Sequence, residues 1–462
     1  MPSLSEEDLN RIRGIVGPER LSTGESELDL HSRDESHHPS SRPEVVVWPR
    51  SAEEISEILI FANSRRIPVT PWAGGTSLEG NPIPIRGGLV LDMRLMDRIL
   101  WIRPEDLQVR VEAGLDFVRL NKKLERYGLF FPPDPGAVAT IGGMVANDAK
   151  GIRAMKYGST GDHVLQMEVV LPTGEIVELG SRAQRSSSGY DLKRLFIGSE
   201  GTLGVITEVT LLLSGLPEEF LAAVVSFSGI EEAAISVAEL IQTGLIPAAL
   251  EFMDEETVAL INEFNGLALP ERATLFLEFQ GSGRAALEED LQLVEQICAG
   301  CGCARLEAGL GREERDRLWE ARHLVHDTIR KAFPRSVSIV VDVAVPISHY
   351  PEIVVHTKRV LQEYGLKGFA FGHAGLGGLH VEILYPPEEQ GEPAQAQARA
   401  EEANAAIVRR ALELEGTATG EHGVGLGKRR FMEEEHGPSL ELMRRIKALL
   451  DPNGIMNPGK IL

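Results

Sequence analysis

The sequence has few cysteines, a shortage of basic charge and no long apolar run. Its three cysteines, Cys298, Cys301 and Cys303, stand in one short stretch of the 462 residues. So few thiols exclude a disulfide scaffold of the secreted kind and fit a reducing cytoplasm. The 47 basic and 69 acidic side chains give a formal charge of −22, which repels phosphate backbones and disfavours nucleic acid as a partner.

We also expect no segment that directs the chain to or through a membrane. The first residues, MPSLSEEDLNRIRGIVG, have neither the basic nor the apolar stretch of a signal peptide. No run of about 18 apolar residues occurs, so we expect no transmembrane segment. The sequence predicts a cytoplasmic protein, and a peripheral association with the inner face of the membrane stays open.

The spacing of the three cysteines invites a metal interpretation. A closed zinc site needs four ligands, and no nearby histidine or fourth cysteine completes the set. The cysteines also follow an apolar-periodic helix that carries Leu291, Val294 and Ile297. We therefore interpret them as thiols at a helix end.

Alternating strand and helix patterns predict an α+β protein with two domains, residues 1–215 and 216–462. In the first domain, Ser51 is followed by Glu54 three residues later, which is the pattern of a capping box at the start of a helix. A strand is predicted from Ile67 to Thr70, directly before a glycine-rich stretch.

The second domain has a different rhythm. Amphipathic helices separate four apolar stretches that we interpret as strands. Such a succession favours a mainly antiparallel sheet. The predicted strands lie near Ala223–Phe227, Ala248–Phe252, Thr274–Phe279 and Ile339–Val345.

The glycine-rich stretch is AGGTSLEGN, residues 73–81. Its Gly-Gly pair allows a turn with positive φ in which backbone N–H groups converge, and such a nest binds anions, most often phosphate. Thr76 and Ser77 add hydroxyl donors. A plain tight turn has a similar sequence, and the stretch is neither a Rossmann fingerprint nor a P-loop.

Two further glycine-rich segments strengthen the ligand interpretation. They are TIGGMVAN, residues 140–147, and GSEGTLGVIT, residues 198–207. Three backbone-exposing segments in one domain indicate a long, folded-in ligand that the main chain approaches closely. Their small residues leave room for a flat ring system.

The order of these three segments resembles the FAD domain of the vanillyl-alcohol oxidase and p-cresol methylhydroxylase fold. The most similar branch holds D-lactate dehydrogenases, the glycolate oxidase flavin subunit and D-2-hydroxyglutarate dehydrogenase, and the resemblance runs from about Pro43 to the C-terminus. It implies an α+β protein in which a PCMH-type FAD-binding domain precedes an α+β substrate (cap) domain. The C-terminal segment, about residues 416–462, would return to the flavin site.

The resemblance also implies which residues contact FAD. The pyrophosphate would lie on Gly74 to Ser77 and on Gly80 and Asn81, and the flavin or adenine would lie beside the second and third segments. Since no histidine stands near the glycine-rich loop, we expect non-covalent FAD. The full set of implied contacts is Pro71, Ala73, Gly74, Gly75, Thr76, Ser77, Gly80, Asn81, Pro133, Thr140, Gly142, Gly143, Ala146, Asn147, Gly204, Ile206 and Asn457.

Four polar residues stand in two glycine-rich loops of the second domain. His373 and His380 are seven residues apart, and Glu421 and His422 are adjacent. Two imidazoles and a carboxylate make a three-ligand set with an open position, typical of catalytic zinc or manganese. The alternative for each histidine is a buried, hydrogen-bonded residue. The resemblance implies that His373, His380 and Glu421 hold a divalent metal and that His422 is the general base.

The segment differs from the family pattern G-H-x-G-D-G-N-L-H. Leu376 replaces the aspartate and Gly378 replaces the asparagine. Strand alternation puts Glu382 on the same side as His380. These departures bear on the metal, on the size of the pocket and on the substrate.

Arg322, in LWEAR, matches the family's W-x-x-R and suits a substrate carboxylate. The alternative is a helix-surface arginine paired with a glutamate. Val340 stands where the 2-hydroxyglutarate branch has a lysine, so we expect a monocarboxylate substrate. His31, His37, His38 and His349 lie outside all these motifs, and we interpret them as surface residues.

The sequence thus predicts an FAD-dependent dehydrogenase that oxidises a small D-2-hydroxy acid, similar to D-lactate, to the 2-oxo acid. The hydride would pass to the flavin N5. A quinone, a cytochrome or a separate redox protein would accept the electrons, and a homodimer is the ordinary expectation. Alternatives are a glycolate-oxidase-like flavin subunit of a multi-chain complex, a non-redox enzyme similar to alkyl-glycerone-phosphate synthase, a zinc hydrolase and a pure binding module.

Overall fold

A computed structural model describes residues 4–323, 325–386 and 393–462 of the chain. The chain forms two compact units. The first comprises Met1–Lys150, Gly158–Leu216 and Glu421–Leu462, and the second comprises Gly151–Tyr157 and Pro217–Gly420. Two segments therefore depart from a single division near residue 215: a short one joins the second unit, and the last 42 residues, Glu421–Leu462, belong to the first.

The first unit contains a small four-stranded sheet in the order Leu21–Ser22, Val45–Val47, Leu89–Asp92 and Val69–Trp72. The last two neighbours in this order pair in parallel. Pairing starts at Val69, two residues after the predicted start, because Pro68 has no N–H to donate.

The helix Ala52–Arg65 packs its apolar stripe into the core of this sheet. Ser51 caps it, since its side chain accepts a hydrogen bond from the backbone of Glu54. The predicted helix start is therefore observed. The stripe consists of Ile55, Ile58, Leu59 and Ala62, all buried.

A second sheet of the first unit has five strands, and every pair of neighbouring strands in it is antiparallel. Val109, Val111, Val169 and Val209 place alternate side chains in a core with the helices that follow. The strand order is Ile99–Arg103, Gln108–Glu112, Val205–Leu212, Val164–Val170 and Ile176–Gly180. A two-stranded pair, Leu129–Phe130 with Ser214–Gly215, completes the strands.

Helices of the first unit are mostly short. They are Glu6–Val16, Glu25–Leu30, Ala52–Arg65, Phe117–Leu124, Ile141–Asn147, Thr160–His163, Lys193–Phe196, Met432–His436 and Pro438–Leu450.

One predicted surface residue of this unit is buried. His31 has no exposed surface, lies 4.4 Å from the Trp72 ring centre, and its Nε2 is 3.0 Å from the carboxylate of Asp92. The surface interpretation of His31 was wrong because its partner stands 61 residues away and no local pattern shows it.

The second unit is built on a seven-stranded sheet whose neighbouring strands are all antiparallel, as the sequence predicted. The order is Cys303–Leu310, Glu219–Phe227, Thr274–Gly281, Ala249–Met253, Lys367–Gly372, Gly378–Tyr385 and Val337–Ala344. Two strands, Lys367–Gly372 and Gly378–Tyr385, flank the glycine turn between His373 and His380.

Helices cover this sheet. One of them, Arg312–His323, carries Trp319 into a core with Phe276. The helices of the second unit are Ala154–Tyr157, Ile230–Gln242, Glu255–Asn265, Arg284–Gly300, Arg312–His323, Val325–Ala332, Tyr350–Glu363 and Pro393–Glu413.

Candidate functional site

The three glycine-rich segments of the first unit meet around one cleft. The first follows the strand Val69–Trp72, the second begins the helix Ile141–Asn147, and the third leads into the strand Val205–Leu212. Thr140 caps the helix by accepting a hydrogen bond from Gly143 N, 3.3 Å from its hydroxyl oxygen. The volume of the cleft, including the open solvent at its mouth, is about 1290 Å³.

The residues expected to contact FAD line this cleft, with two exceptions. Gly80 instead donates its N–H to Asp34, 2.8 Å away, and has Leu426 and His38 packed where a Cβ would stand. Pro133 is buried and is not among the described lining residues. Predicted residues on the wall are Pro71, Ala73, Gly74, Gly75, Thr76, Ser77, Asn81, Thr140, Gly142, Gly143, Ala146, Asn147, Gly204, Ile206 and Asn457.

The wall of the cleft suits a long ligand with a flat ring. Much of it is made of main chain and small or aliphatic side chains, such as Ala113, Ala139 and Val205. A Cβ on Gly142 would lie 2.7 Å from Ala113 Cβ, so this position has room for glycine alone. Backbone groups that come this close can hydrogen-bond a phosphate or a ring edge directly.

Glu421 and His422 line the same cleft. The carbonyl oxygen of His422 is 3.4 Å from the amide nitrogens of both Asn81 and Asn147. Asn457 has a positive φ of 37° and donates its amide to the carbonyl oxygens of Asn81 and Glu200, at 2.9 and 2.7 Å. The C-terminal segment therefore contributes directly to the wall of this cleft.

A second group of polar residues lies in the second unit. His373 Nδ1 is 2.7 Å from Glu251, whose other carboxylate oxygen accepts hydrogen bonds from Arg322 Nε and Nη2 at 2.8 and 2.7 Å. A carboxylate at Nδ1 makes that nitrogen the hydrogen-bond donor and leaves Nε2 as the basic nitrogen.

Glu251 is almost completely buried. Burial by itself raises the pKa of its carboxyl, but the charges of His373 and Arg322 and their hydrogen bonds outweigh burial, so the pKa lies below its usual value. Glu251 is therefore an anion at neutral pH, and it holds the His373 ring in one orientation.

Arg322 is buried and is paired with a residue of a strand. Only 8% of it is accessible, and its guanidinium lies 5.3 Å from the Phe371 ring centre. The helix-surface alternative is thus wrong for this arginine, because its partner Glu251 belongs to a sheet strand.

His380 lies beside His373, with the ring centres 5.1 Å apart and the planes at 88°. Its Nδ1 is 3.4 Å from the carboxylate of Asp342, the residue opposite it on the neighbouring strand. Asp342 also accepts a hydrogen bond from the Thr419 hydroxyl at 2.8 Å. Each of the two imidazoles therefore has a carboxylate at Nδ1, as metal-binding histidines commonly do.

Glu382 is buried, two residues after His380 on the same strand. One carboxylate oxygen is 2.6 Å from His326 Nδ1, and the other accepts a hydrogen bond from Ser338 at 3.2 Å. Burial lowers the pKa of His326, but the hydrogen bond and charge of Glu382 outweigh burial and raise it above its usual value. Leu376, which replaces the family's aspartate, is 44% exposed.

The sequence missed three buried carboxylates at these sites. Glu200 lines the cleft of the first unit, and Glu251 and Asp342 stand behind the two histidines of the second. Glu251 and Asp342 occupy otherwise apolar strand patterns, EFM and VVDVAV, and a charge at a strand centre was the available signal.

Two known families match the chain. Residues 43–180 match the family described as FAD binding domain, and residues 216–461 match FAD linked oxidases, C-terminal domain. The chain belongs to the FAD-linked oxidase family.

Relatives of the family span nearly the whole chain. A protein of Danio rerio named probable D-lactate dehydrogenase, mitochondrial, is 40% identical over 99% of this chain and 92% of its own length. The D-lactate dehydrogenase [cytochrome], mitochondrial, of Arabidopsis thaliana is 40% identical over 99% of this chain and 80% of its own. A glycolate oxidase subunit of Bacillus subtilis is 35% identical over 97% and 95%.

Solved structures share the fold at low identity. The 4-ethylphenol oxidase of Gulosibacter chungangensis superposes with a TM-score of 0.80, at 19% identity and over 99% of this chain and 98% of its own. An alkyldihydroxyacetonephosphate synthase gives a TM-score of 0.75 at 19% identity, covering 99% and 85%. The predicted family, the PCMH-type fold and the FAD-binding domain are confirmed. Across the described part of the chain, no helix is both long and apolar enough to cross a membrane.

Proposed function

We propose that the protein is an FAD-dependent dehydrogenase that oxidises a small D-2-hydroxy acid, similar to D-lactate, to the 2-oxo acid. One observation carries the proposal: a histidine that can act as a base, His422, lines the same cleft as three glycine-rich segments suited to FAD. The names of the relatives from Danio rerio and Arabidopsis thaliana support the substrate.

In this proposal the first unit holds FAD and supplies the base. When bound without a covalent link, FAD supplies the acceptor for the hydride from the substrate α-carbon. The predicted wall residues hold the cofactor through backbone N–H groups and the Thr76 and Ser77 hydroxyls. His422 takes the proton of the substrate hydroxyl at a ring nitrogen, because a neutral imidazole is a competent base.

We further propose that His373, His380 and Glu421 bind a divalent ion, zinc or manganese. The chemistry of the donors supports this proposal. The Nδ1 atoms of the two imidazoles face the carboxylates of Glu251 and Asp342, which leaves each Nε2 for a metal. The carboxylate of Glu421 is the third donor. Such an ion would act as a Lewis acid that lowers the pKa of the substrate hydroxyl.

Arg322 is proposed to bind the substrate carboxylate with Nη1, since its Nε and Nη2 are both directed to Glu251. The position that would hold a lysine anchor for a second carboxylate is occupied by Val340, which lies opposite Glu382 on the neighbouring strand. The buried Glu382 carboxylate would also repel a second substrate carboxylate. A monocarboxylate is therefore the proposed substrate.

A second candidate is a glycolate-oxidase-like flavin subunit that works in a multi-chain complex. Glycolate oxidase subunits of Bacillus subtilis and Escherichia coli are 35% and 32% identical to this chain. In either case we propose a separate electron acceptor, which is a cytochrome, a quinone or another redox protein. Relatives from three species carry the word cytochrome in their names. A cytoplasmic homodimer, in contact with the inner face of the membrane when the acceptor lies there, completes the proposal.

The decisive test is anaerobic reduction of the bound flavin. The visible spectrum would be recorded while D-lactate, L-lactate, glycolate and D-2-hydroxyglutarate are added in turn. We expect bleaching with D-lactate and none with L-lactate, and fastest bleaching with glycolate would favour the second candidate. A yellow protein that none of these acids bleaches would defeat the substrate class.

A further inference from the structure

Glu200 has a backbone conformation that is rare for its type. Its φ is +52°, in the left-handed region, and its neighbours on either side of the turn, Gly198 and Gly201, have φ values of +74° and +68°. A non-glycine residue there is strained, and such strain persists where the surroundings enforce it. Only 5% of Glu200 is exposed, so its side chain is held inside the unit.

The Glu200 carboxylate binds the segment that follows His422. One oxygen accepts the N–H of Val424 at 2.6 Å, and the other accepts the N–H of Gly425 at 2.9 Å and the Asn81 amide at 2.7 Å. Bonds from two consecutive backbone N–H groups to one carboxylate fix both the position and the direction of that segment.

Gly423 gives the carboxylate its space. A Cβ at this residue would lie 2.8 Å from both Glu200 Oε1 and the Asn81 amide nitrogen, and φ here is +82°. The chain between His422 and Val424 therefore passes so close to Glu200 that only glycine fits. His422 itself is one residue before this contact, and its carbonyl oxygen lies 3.4 Å from the same Asn81 amide.

We propose that Glu200 is a positioning residue, which holds Glu421 and His422 at the wall of the FAD cleft in the orientation that the reaction needs. Glu200, Glu421 and His422 all line that cleft. The inference rests on the proposed function, because it assigns Glu200 a role through His422. Glu200 itself has no part in proton or hydride transfer.

The charge of Glu200 is finely balanced. Burial raises the pKa of its carboxyl to about 7, although the N–H groups of Val424 and Gly425, the Asn81 amide and the charge of Lys460 all favour the anion. Lys460 is buried as well, and its Nζ donates to the Ile83 carbonyl at 2.5 Å.

The test uses Glu200→Gln in the FAD-loaded full chain. Glutamine keeps the shape of the side chain, but an NH2 group replaces one carboxylate oxygen. This NH2 group faces a backbone N–H and cannot accept from it, so at least one of the bonds from Val424 and Gly425 is lost. Asp8→Asn is the matched control. Asp8 is also 5% exposed in the same unit and accepts a backbone N–H and a hydroxyl, both from Ser5, but it is not among the described residues that line the cleft.

We expect Glu200→Gln to slow flavin reduction by D-lactate about 10- to 100-fold, because a misplacement of about 1 Å can cost about 100-fold in rate. Bound FAD and the affinity for the product pyruvate should stay as in the wild type. The deuterium isotope effect from C2 of lactate on kcat should rise toward its value on the reduction step, and hydrogen exchange should accelerate at Val424 and Gly425. Asp8→Asn should lower the melting temperature but leave all these readouts unchanged.

Wild-type rates of reduction and amide exchange in Glu200→Gln would overturn the proposal. If this variant does not fold, Gly423→Ala provides the second variant, since its Cβ displaces the carboxylate by the contact described above, and the same loss of rate is expected. Two measurements on the wild type distinguish the two proposals. If no D-2-hydroxy acid reduces its flavin, the proposed function fails. If the amides of Val424 and Gly425 exchange rapidly, only the proposed role of Glu200 fails.

Discussion

The two units build their sites from different materials. The cleft of the first unit is walled largely by three glycine-rich segments, each of which is continuous in the sequence. The site of the second unit is made of buried polar and charged side chains. Glu251, Arg322 and His373 interact there although they are far apart in the sequence. Backbone nests recognise a cofactor of fixed shape, whereas paired charges orient individual ligand atoms.

The largest expected effect tests whether the base belongs to the first unit. We expect His422→Asn to slow flavin reduction by D-lactate about 10²- to 10⁴-fold, which is the usual contribution of a general base. Bound FAD should remain, because the glycine-rich wall is intact. Stopped-flow absorbance of the flavin measures the rate. His349→Asn, at a 39% exposed side chain of the second unit, is the control, and equal rates in the two variants would remove His422 from the mechanism.

The next effect tests the charges of the second unit. Glu251→Gln removes the anion behind His373 and leaves Arg322 buried without its partner, so we expect metal affinity to fall about 10- to 100-fold. Titration of metal-free protein with Zn²⁺ or Mn²⁺ gives the dissociation constant. Glu278→Gln is the matched control, since Glu278 is equally buried on the adjacent strand and pairs with Arg315 at 3.7 Å. Identical metal affinity in both variants would argue against a metal on His373.

A smaller effect tests the steric argument for the first unit. Gly142→Ala places a Cβ 2.7 Å from Ala113 Cβ and 2.9 Å from its carbonyl oxygen, so the helix start must shift. Overpacking of this kind costs about 1–3 kcal/mol, and we expect FAD to bind about tenfold more weakly. Fluorescence titration of the flavin measures the change. Gly14→Ala, where the Cβ meets nothing within 4 Å, should bind FAD as the wild type does. Undiminished FAD affinity in Gly142→Ala would show that the wall is not closely fitted.

The smallest effect concerns the three cysteines of the second unit, which belong to neither of the two sites. Burial and the neighbouring thiols Cys303 and Cys301 raise the pKa of Cys298 to about 12, so iodoacetamide at pH 8 should leave Cys298 unmodified. Mass spectrometry locates the label, and flavin reduction should be unchanged when Cys301 reacts. Loss of activity, or release of bound metal on labelling, would reopen the metal interpretation of the cysteines.

Local patterns predicted much of this architecture. The capped helix after Ser51, the antiparallel sheet and the three glycine-rich segments of the cleft were predicted from periodicity, capping and glycine spacing. These features are local because a helix cap or a backbone nest is formed by residues a few positions apart. Family resemblance extended the prediction to the histidines.

Other features could not be read from short windows. His31 was expected at the surface but is buried against Asp92, and the pairing of Arg322 with Glu251 was not predicted. In both cases the partner lies 60 or more residues away in the chain, 61 for His31 and 71 for Arg322. Long-range ion pairs depend on which strands become neighbours, and no local pattern encodes that choice.

Glycine spacing in the sequence predicted the ligand-binding segments, because a backbone nest is formed by neighbouring residues. The resemblance of the sequence to a known family added the family, FAD and the candidate base His422. Only the tertiary structure decided which carboxylates stand behind these groups. Glu200, Glu251 and Asp342 acquire their roles through burial and through donors brought from distant segments, and a buried carboxylate is tolerated only where such donors surround it.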